Sequence, residues 1–321
     1  MKLVIQIPCY NEEENITDTI ADLPRAINGI DEIEYLIIDD GSTDKTVETA
    51  RQIGVNHIIS YPNNRGLAHA FSVGIDACLR LGADIIVNTD ADNQYVGADI
   101  EKLVEPILSG QAEIVIGERP IDKIEDFSAQ KKRFQKFGCR VVRFVSGTSV
   151  PDAPSGFRAY TRDAAMRINV MNEYTYTLET IIQAGMNKTP IVSVPIRTNP
   201  QTRESRLFKS MWSYIRRSAN VIVRSIMMYR PLKFFITIGS IIGAVGLVFV
   251  IRFIVIAIID SPEGHIQSLV LSAMMIMVGM QFIVSGLQAD IISANRKILE
   301  DIQLKVREKY YSEAETKEDK E

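Results

Sequence analysis

Two apolar runs near the carboxyl end limit what this chain can become. Phe234 to Ile259 is apolar except for Arg252 near its far end, and Ile266 to Leu287 has Gln267 and Gln281 as its clearest polar members. Each is long enough to cross a hydrocarbon core of about 30 Å, which takes about 20 helical residues. Only Asp260-Ser261-Pro262-Glu263-Gly264-His265 separates them, so the pair reads as a two-helix transmembrane hairpin. Basic residues flank its outer ends: Arg224, Arg230 and Lys233 before, and Arg296, Lys297, Lys305, Arg307 and Lys309 after. The connecting loop has none. By the positive-inside rule, both termini are expected in the cytoplasm at a cell membrane spanned twice. Arg252 can snorkel to the outer interface.

Upstream the periodicity changes. Short apolar runs at Leu3–Ile7, Glu34–Ile38, His57–Ser60, Asp84–Asn88 and Glu113–Gly117 read as strands. Amphipathic stretches at Glu12–Ile27, Lys45–Ile53, Gly66–Leu81 and Gly97–Ser109 alternate with them. That alternation predicts βαβ units and an α/β fold with a mostly parallel sheet. The N-terminal apolar run is too short for a signal peptide and reads as the first strand.

From Arg119 to Arg143 basic residues accumulate, and Phe134, Phe137, Val141, Val142 and Phe144 fit one apolar helical face. Residues Arg203 to Arg230 repeat the theme, with Trp212, Ile215 and Val221 among Arg216, Arg217 and Arg224. Basic amphipathic helices of this kind suit a bilayer interface. Formal net charge is −4, which gives no general case for nucleic acid. Cys9, Cys78 and Cys139 are scattered and form no zinc-type pair. The segmentation expected is 1–202 for an α/β domain, 203–231 for juxtamembrane helices, 232–290 for the hairpin, and 291–321 for a charged cytoplasmic tail. That tail is compatible with a homo-oligomer.

The chemistry concentrates at strand ends. Asn88-Thr89-Asp90-Ala91-Asp92 closes a buried strand, and ligands of open α/β sheets sit beyond such ends. Asp90 and Asp92 are two apart, so on an extended stretch they point the same way. Two carboxylates on one side repel unless a cation lies between them, and hard oxygen ligands select Mg²⁺ or Mn²⁺. Asp39-Asp40-Gly41-Ser42-Thr43-Asp44 also follows a strand: Thr43 or Asp44 suits a helix cap, while the two preceding acids remain to receive a base or a ribose. Pro8-Cys9-Tyr10-Asn11-Glu12-Glu13 is the third such cluster, with first-turn acids that also favour a helix dipole.

In chain order, Pro8–Glu13, then Asp39–Asp44, then Asp90-Ala91-Asp92, the three clusters resemble those of family 2 glycosyltransferases with the GT-A (Rossmann-like) fold, over Lys2 to about Arg206. Asn64-Arg65-Gly66-Leu67-Ala68-His69-Ala70 and Asp152-Ala153-Pro154-Ser155-Gly156-Phe157-Arg158-Ala159-Tyr160 resemble a narrower branch, the dolichyl- and polyprenyl-phosphate sugar synthases. The resemblance implies that Pro8, Tyr10, Glu12, Asp39 and Asp40 bind the nucleoside, with Ala68 closing over the base side. It implies that Asp90, Ala91 and Asp92 meet the donor diphosphate through a metal held by Asp90, Asp92 and Gln94. Arg119 and Arg133 would bind the acceptor phosphate, and Ser155 is assigned to the same side of the site. Ser205 and Arg206 match a Ser-Lys pair near the donor phosphates, with arginine in place of lysine.

The activity so implied is inverting transfer from a UDP- or GDP-hexose to polyprenyl or dolichyl phosphate. A lipid phosphate is already an anion near neutrality, with a second pKa near ~6 by analogy with phosphoserine. It needs aiming rather than deprotonation, and arginine forks supply that. Asp152 is read either as a base or as the partner of an arginine, Arg158 among them. Two other readings remain: a family 2 enzyme acting on a carbohydrate or glycolipid hydroxyl, and an inactive membrane adaptor that binds nucleotide-sugar.

Overall fold

The computed structural model describes residues 1–120, 129–171, 175–200, 211–259 and 266–318. They fall into two compact units, Met1–Ile222 with Leu304–Glu321, and Val223–Gln303.

The first unit is built on a seven-stranded sheet. Its strands are β1 (Lys2–Cys9), β2 (Glu32–Asp39), β3 (His57–Ser60), β4 (Ile85–Asn88), β5 (Ile114–Glu118), β6 (Arg158–Thr161) and β7 (Ile191–Pro195). Their order is β3-β2-β1-β4-β6-β5-β7. β6 runs antiparallel to both neighbours, β4 and β5, and the other pairs are parallel. Helices α1 (Ile16–Asp22), α2 (Thr46–Gln52), α3 (Leu67–Arg80), α4 (Ile100–Leu108), α5 (Ala129–Ser146), α6 (Arg162–Arg167) and α7 (Thr177–Asn187) complete the alternation.

Burial on both faces explains why β1 reads as a continuous apolar run. Leu3, Ile5, Ile7 and Cys9 enter one core with Ile16, Ile20, Leu103 and Val104. Val4 and Gln6, equally buried, face the other way. There α3 comes close because Gly74 has no side chain: a Cβ would stand 2.2 Å from Gln6 Oε1. α1 is shorter than its amphipathic pattern predicts. Leu23 is extended (ψ 141°) because Pro24 follows, and a residue before proline avoids the helical region.

From β1 the chain steps outward to β2 and β3, then returns to β4 on the other side of β1. That reversal opens a crevice beyond the carboxyl ends of β1 and β4, where all three acidic clusters meet.

α5 divides its apolar residues differently from the single face expected. Cys139, Val142 and Val145 are buried on the side that packs against α7, whereas Phe137 and Phe144 are 62% and 86% exposed. Arg133, Lys136, Arg140 and Arg143 are exposed with them. The Phe134 side chain lies outside the described ones.

The C-terminal stretch is helical to Glu318 as part of α10 (Ile266–Glu318). Its last part belongs to the sheet-bearing unit. Arg307 Nη1 donates to the carbonyls of Met166 (2.8 Å) and Ile168 (3.0 Å), and the buried Tyr311 donates its hydroxyl to Asp76 (2.5 Å).

After α8 (Met211–Tyr229) come α9 (Pro231–Ile259) and the apolar part of α10, which belong to the second unit and are both long and apolar enough to cross a membrane. Little of either apolar window is buried, unlike the core helix of a soluble protein; Ile258 and Met277 are mostly exposed. Small residues let the two helices touch by their backbones. A Cβ on Gly239 would lie 2.6 Å from the Gly279 carbonyl oxygen, and one on Gly279 would lie 2.7 Å from that of Gly239.

Candidate active site

β4 delivers its acidic run through a buried polar lattice. Asn88 accepts from Gln6 Nε2 of β1 (2.9 Å) and donates to the Gly156 carbonyl (2.8 Å) and to the Tyr176 hydroxyl (2.9 Å). Tyr176 is in turn stacked on Phe71. The ends of β1 and β4 and the approach to β6 are thereby fixed together. Gly156 leaves room for the Asp90 carboxylate here, since a Cβ would stand 2.9 Å from Asp90 Oδ1.

Asp90 is partly exposed, yet its carboxyl is pushed up to about 7. Desolvation is the main cause and the Asp92 carboxylate the next; Arg119, the Tyr95 hydroxyl and Arg158 pull the other way without prevailing. The Tyr95 hydroxyl also accepts the Gly156 N–H (3.1 Å), and its ring stacks on Phe157. Tyr95 follows Asp92 so closely that its role was open to sequence reading, but the expectation passed over it. Asp92 Oδ1 accepts the Gln94 N–H at 3.2 Å.

These groups suit a hard cation. Among the described residues no cluster of three or more acidic, histidine or cysteine side chains is placed to hold a metal. Two carboxylates, one of them resisting ionisation, fit an ion that takes the rest of its sphere from water and substrate phosphates. Cys9 does not compete as a ligand: burial first, then the surrounding acids, push its thiol well up.

Arg119 sits at the end of β5 and faces Asp152. Its Nε donates to Asp152 Oδ2 (2.7 Å) and its Nη2 to Oδ1 (3.0 Å), a two-pronged ion pair with a fully buried carboxylate. The Arg119 N–H reaches the same carboxylate at 3.2 Å, and Gln135 of α5 adds a contact at 3.4 Å. Burial opposes the guanidinium charge, but Asp152, Tyr95 and Asp90 outweigh it and hold Arg119 protonated more firmly than a free arginine. Arg158 is therefore not the arginine that Asp152 engages. Its guanidinium is spent on Ser155 O (2.7 Å), Ala153 O (2.8 Å) and Thr180 Oγ1 (2.7 Å).

The acids of the Asp39–Asp44 cluster are also held. Asp39 accepts from Ser60 Oγ (2.6 Å) and the Ser42 N–H (3.0 Å). Asp40 accepts the N–H groups of Arg65 (2.9 Å) and Gly66 (2.7 Å), where α3 begins. Gly41, at φ +79°, permits this contact: a Cβ would lie 2.6 Å from the Asn63 carbonyl carbon. Asp44 accepts the Thr46 N–H (3.0 Å) at the start of α2. Tyr10 is exposed at the crevice, while Pro8, Glu12, Ala68 and Ala91 are buried. Ser155 is fully buried, and Arg133 is exposed on α5. Ser205 and Arg206 lie outside the described residues.

Glycosyl transferase family 2, as a family model, matches residues 4–168. The UDP-N-acetylglucosamine–dolichyl-phosphate N-acetylglucosaminyltransferase of Methanococcus voltae is 32% identical over 217 residues, spanning 60% of this chain and 83% of that one. The polyprenol monophosphomannose synthase of Mycolicibacterium smegmatis is 26% identical over 206 residues, spanning 61% and 76%. Among solved structures, glucosyl-3-phosphoglycerate synthase from Mycobacterium tuberculosis, in complex with Mn²⁺, UDP-glucose and phosphoglyceric acid, matches at a TM-score of 0.55 and 17% identity. It covers 70% of this chain and 79% of that chain, and the likeness establishes the GT-A fold.

Proposed function

Because the chain belongs to glycosyl transferase family 2, and is accordingly a glycosyltransferase, we propose that it transfers a hexose from UDP or GDP to polyprenyl or dolichyl phosphate. The relatives named for dolichyl-phosphate and polyprenol chemistry support that acceptor class. The observation that carries the reading is Arg119, locked by the buried Asp152 and electrostatically coupled to Asp90.

Asp90 and Asp92, with Gln94, would hold Mg²⁺ or Mn²⁺, which offsets the charge of the donor diphosphate when bound. Arg206 is assigned the same task. Pro8, Tyr10, Glu12, Asp39, Asp40 and Ala68 shape the nucleoside end. Arg119, Arg133 and Ser155 are assigned to the acceptor phosphate, which the arginines would aim. One of its oxygens attacks the anomeric carbon, the bond from that carbon to the diphosphate oxygen breaks, and the electron pair leaves with the nucleoside diphosphate. Attack from the opposite face inverts the centre. The attacking oxygen carries no proton, so no general base is required. A hydroxyl acceptor would require one, and both oxygens of Asp152 are already engaged by Arg119. We assign this carboxylate the orienting role.

The outward face of α5, with Phe137 and Phe144 among arginines, suits the headgroup layer. With the flanking charges of the apolar helices, it favours catalysis on the cytoplasmic side. The test is incubation of the detergent-solubilised chain with a panel of nucleotide-sugars, polyprenyl phosphate and Mg²⁺ or Mn²⁺, followed by mass spectrometry of the lipids. A lipid-phosphate hexose is expected. Transfer only to added sugar hydroxyls, with the lipid phosphate unchanged, would overturn the acceptor assignment.

A further inference from the structure

The loop that follows Asp92 is gripped by a segment distant in sequence. After β7 the chain crosses back over the acidic run, and Tyr95 and Thr198 form an antiparallel bridge. Asn199 donates its backbone N–H to the Gln94 carbonyl (2.9 Å) and its side-chain Nδ2 to the Asn93 carbonyl (3.0 Å). One step back, Arg197 engages the buried Asp99 with its backbone N–H (2.6 Å), its Nε (3.0 Å) and its Nη2 (2.7 Å). Between the two carboxylates and Tyr95, Asn93 adopts φ +53°, a left-handed conformation that a residue with a Cβ does not take without cost. The chain turns at Asn93 between Asp92 and Tyr95, whose hydroxyl favours the charged form of Asp90.

We propose that Asn199 is a positioning residue for the metal loop: its side-chain amide holds Asn93 in the left-handed turn that keeps Asp92 beside Asp90. The inference rests on the reading of Asp90 and Asp92 as cation ligands. It assigns the β7 side of the sheet a share in cation binding, through one amide group that touches neither carboxylate. Arg197 and Asp99 anchor the segment at its base, so the grip does not depend on Asn199 alone for its placement.

The experiment measures uptake of Mn²⁺ alone by the full chain in detergent, from the free Mn²⁺ resonance. Asn199→Ala is expected to raise the dissociation constant about tenfold, the usual scale for groups that orient a ligand. Glycine accepts a positive φ at no steric cost, so Asn93→Gly in the Asn199→Ala background is expected to recover most of the loss. Asn199→Asp keeps the size and loses the amide donor, and gives the same answer should the alanine variant fail to fold. If the wild-type chain takes up no Mn²⁺, or Asp92→Asn takes it up equally well, the metal reading itself fails. If Asp92→Asn loses uptake while the Asn199 variants bind as wild type, only the positioning role fails. An Asn93→Gly change that recovers nothing refutes action through the left-handed turn.

Discussion

A proton must leave Asp90 when a cation arrives, and its number can be worked out in advance. With the carboxyl pushed up to about 7, the metal-free site is about nine-tenths protonated at pH 6 and about one-tenth at pH 8. Binding of Mn²⁺ is therefore expected to release about 0.9 proton at pH 6 and about 0.1 at pH 8, with affinity about tenfold weaker at the lower pH. Titration calorimetry at pH 6, in two buffers of different ionisation enthalpy, reads the proton directly. Folding stability gives an independent check with the opposite sign. Because the folded-state value lies above the ordinary 3.8, the metal-free chain is most favoured below that pH, and stability is lost as pH rises from there to about 7. At pH 8 the loss is on the order of 4 kcal/mol. Asp90→Asn should therefore raise Tm in chelator at pH 8 and change it little at pH 4. Metal binding without proton release at pH 6, or an Asp90→Asn variant no more stable at pH 8, would refute the claim that this carboxylate resists ionisation.

Three further outcomes test other parts of the site. Asp152→Asn breaks a buried ion pair, a change worth about 3–5 kcal/mol; it should lower Tm and raise KM for the lipid phosphate at least tenfold, with KM for nucleotide-sugar little altered. Gly156→Ala places a Cβ 2.9 Å from Asp90 Oδ1, so the carboxylate must shift; most turnover should be lost, with weaker Mn²⁺ uptake in the same binding assay. Phe144→Trp, made with Trp212→Phe to remove the only native tryptophan, should show blue-shifted emission in anionic vesicles and quenching by brominated lipids, whereas emission as in water would exclude bilayer contact at this face.

Local signals carried much of the sheet. Short apolar runs bounded by turn residues located β1 to β5 to within about two residues. The acidic run after β4 was legible because a strand end and a two-residue carboxylate spacing are both local. The Arg119–Asp152 pair was not, since its members are joined only by the antiparallel pairing of β5 with β6, Ile116 opposite Arg158. Nothing in a four-residue strand such as β6 declares its direction. α5 misled in another way: its apolar residues fit one broad face, but packing against α7 selected Cys139, Val142 and Val145 and left Phe137 and Phe144 outside. Asn199 escaped notice because a lone asparagine after a strand is ordinary, and its meaning comes from the backbone of Asn93.

The sheet-bearing unit is discontinuous in sequence: Leu304–Glu321 completes what Met1–Ile222 begins. Translation proceeds towards the C-terminus, so the sheet emerges from the ribosome before both apolar helices and can start to fold while they are still unmade. The Met166 and Ile168 carbonyls and the Asp76 carboxylate must then wait for Arg307 and Tyr311. A stretch made after both apolar helices closes a unit begun before them. A polypeptide released early, before or within the hairpin, therefore carries every acidic cluster of the crevice and still lacks a piece of its own unit.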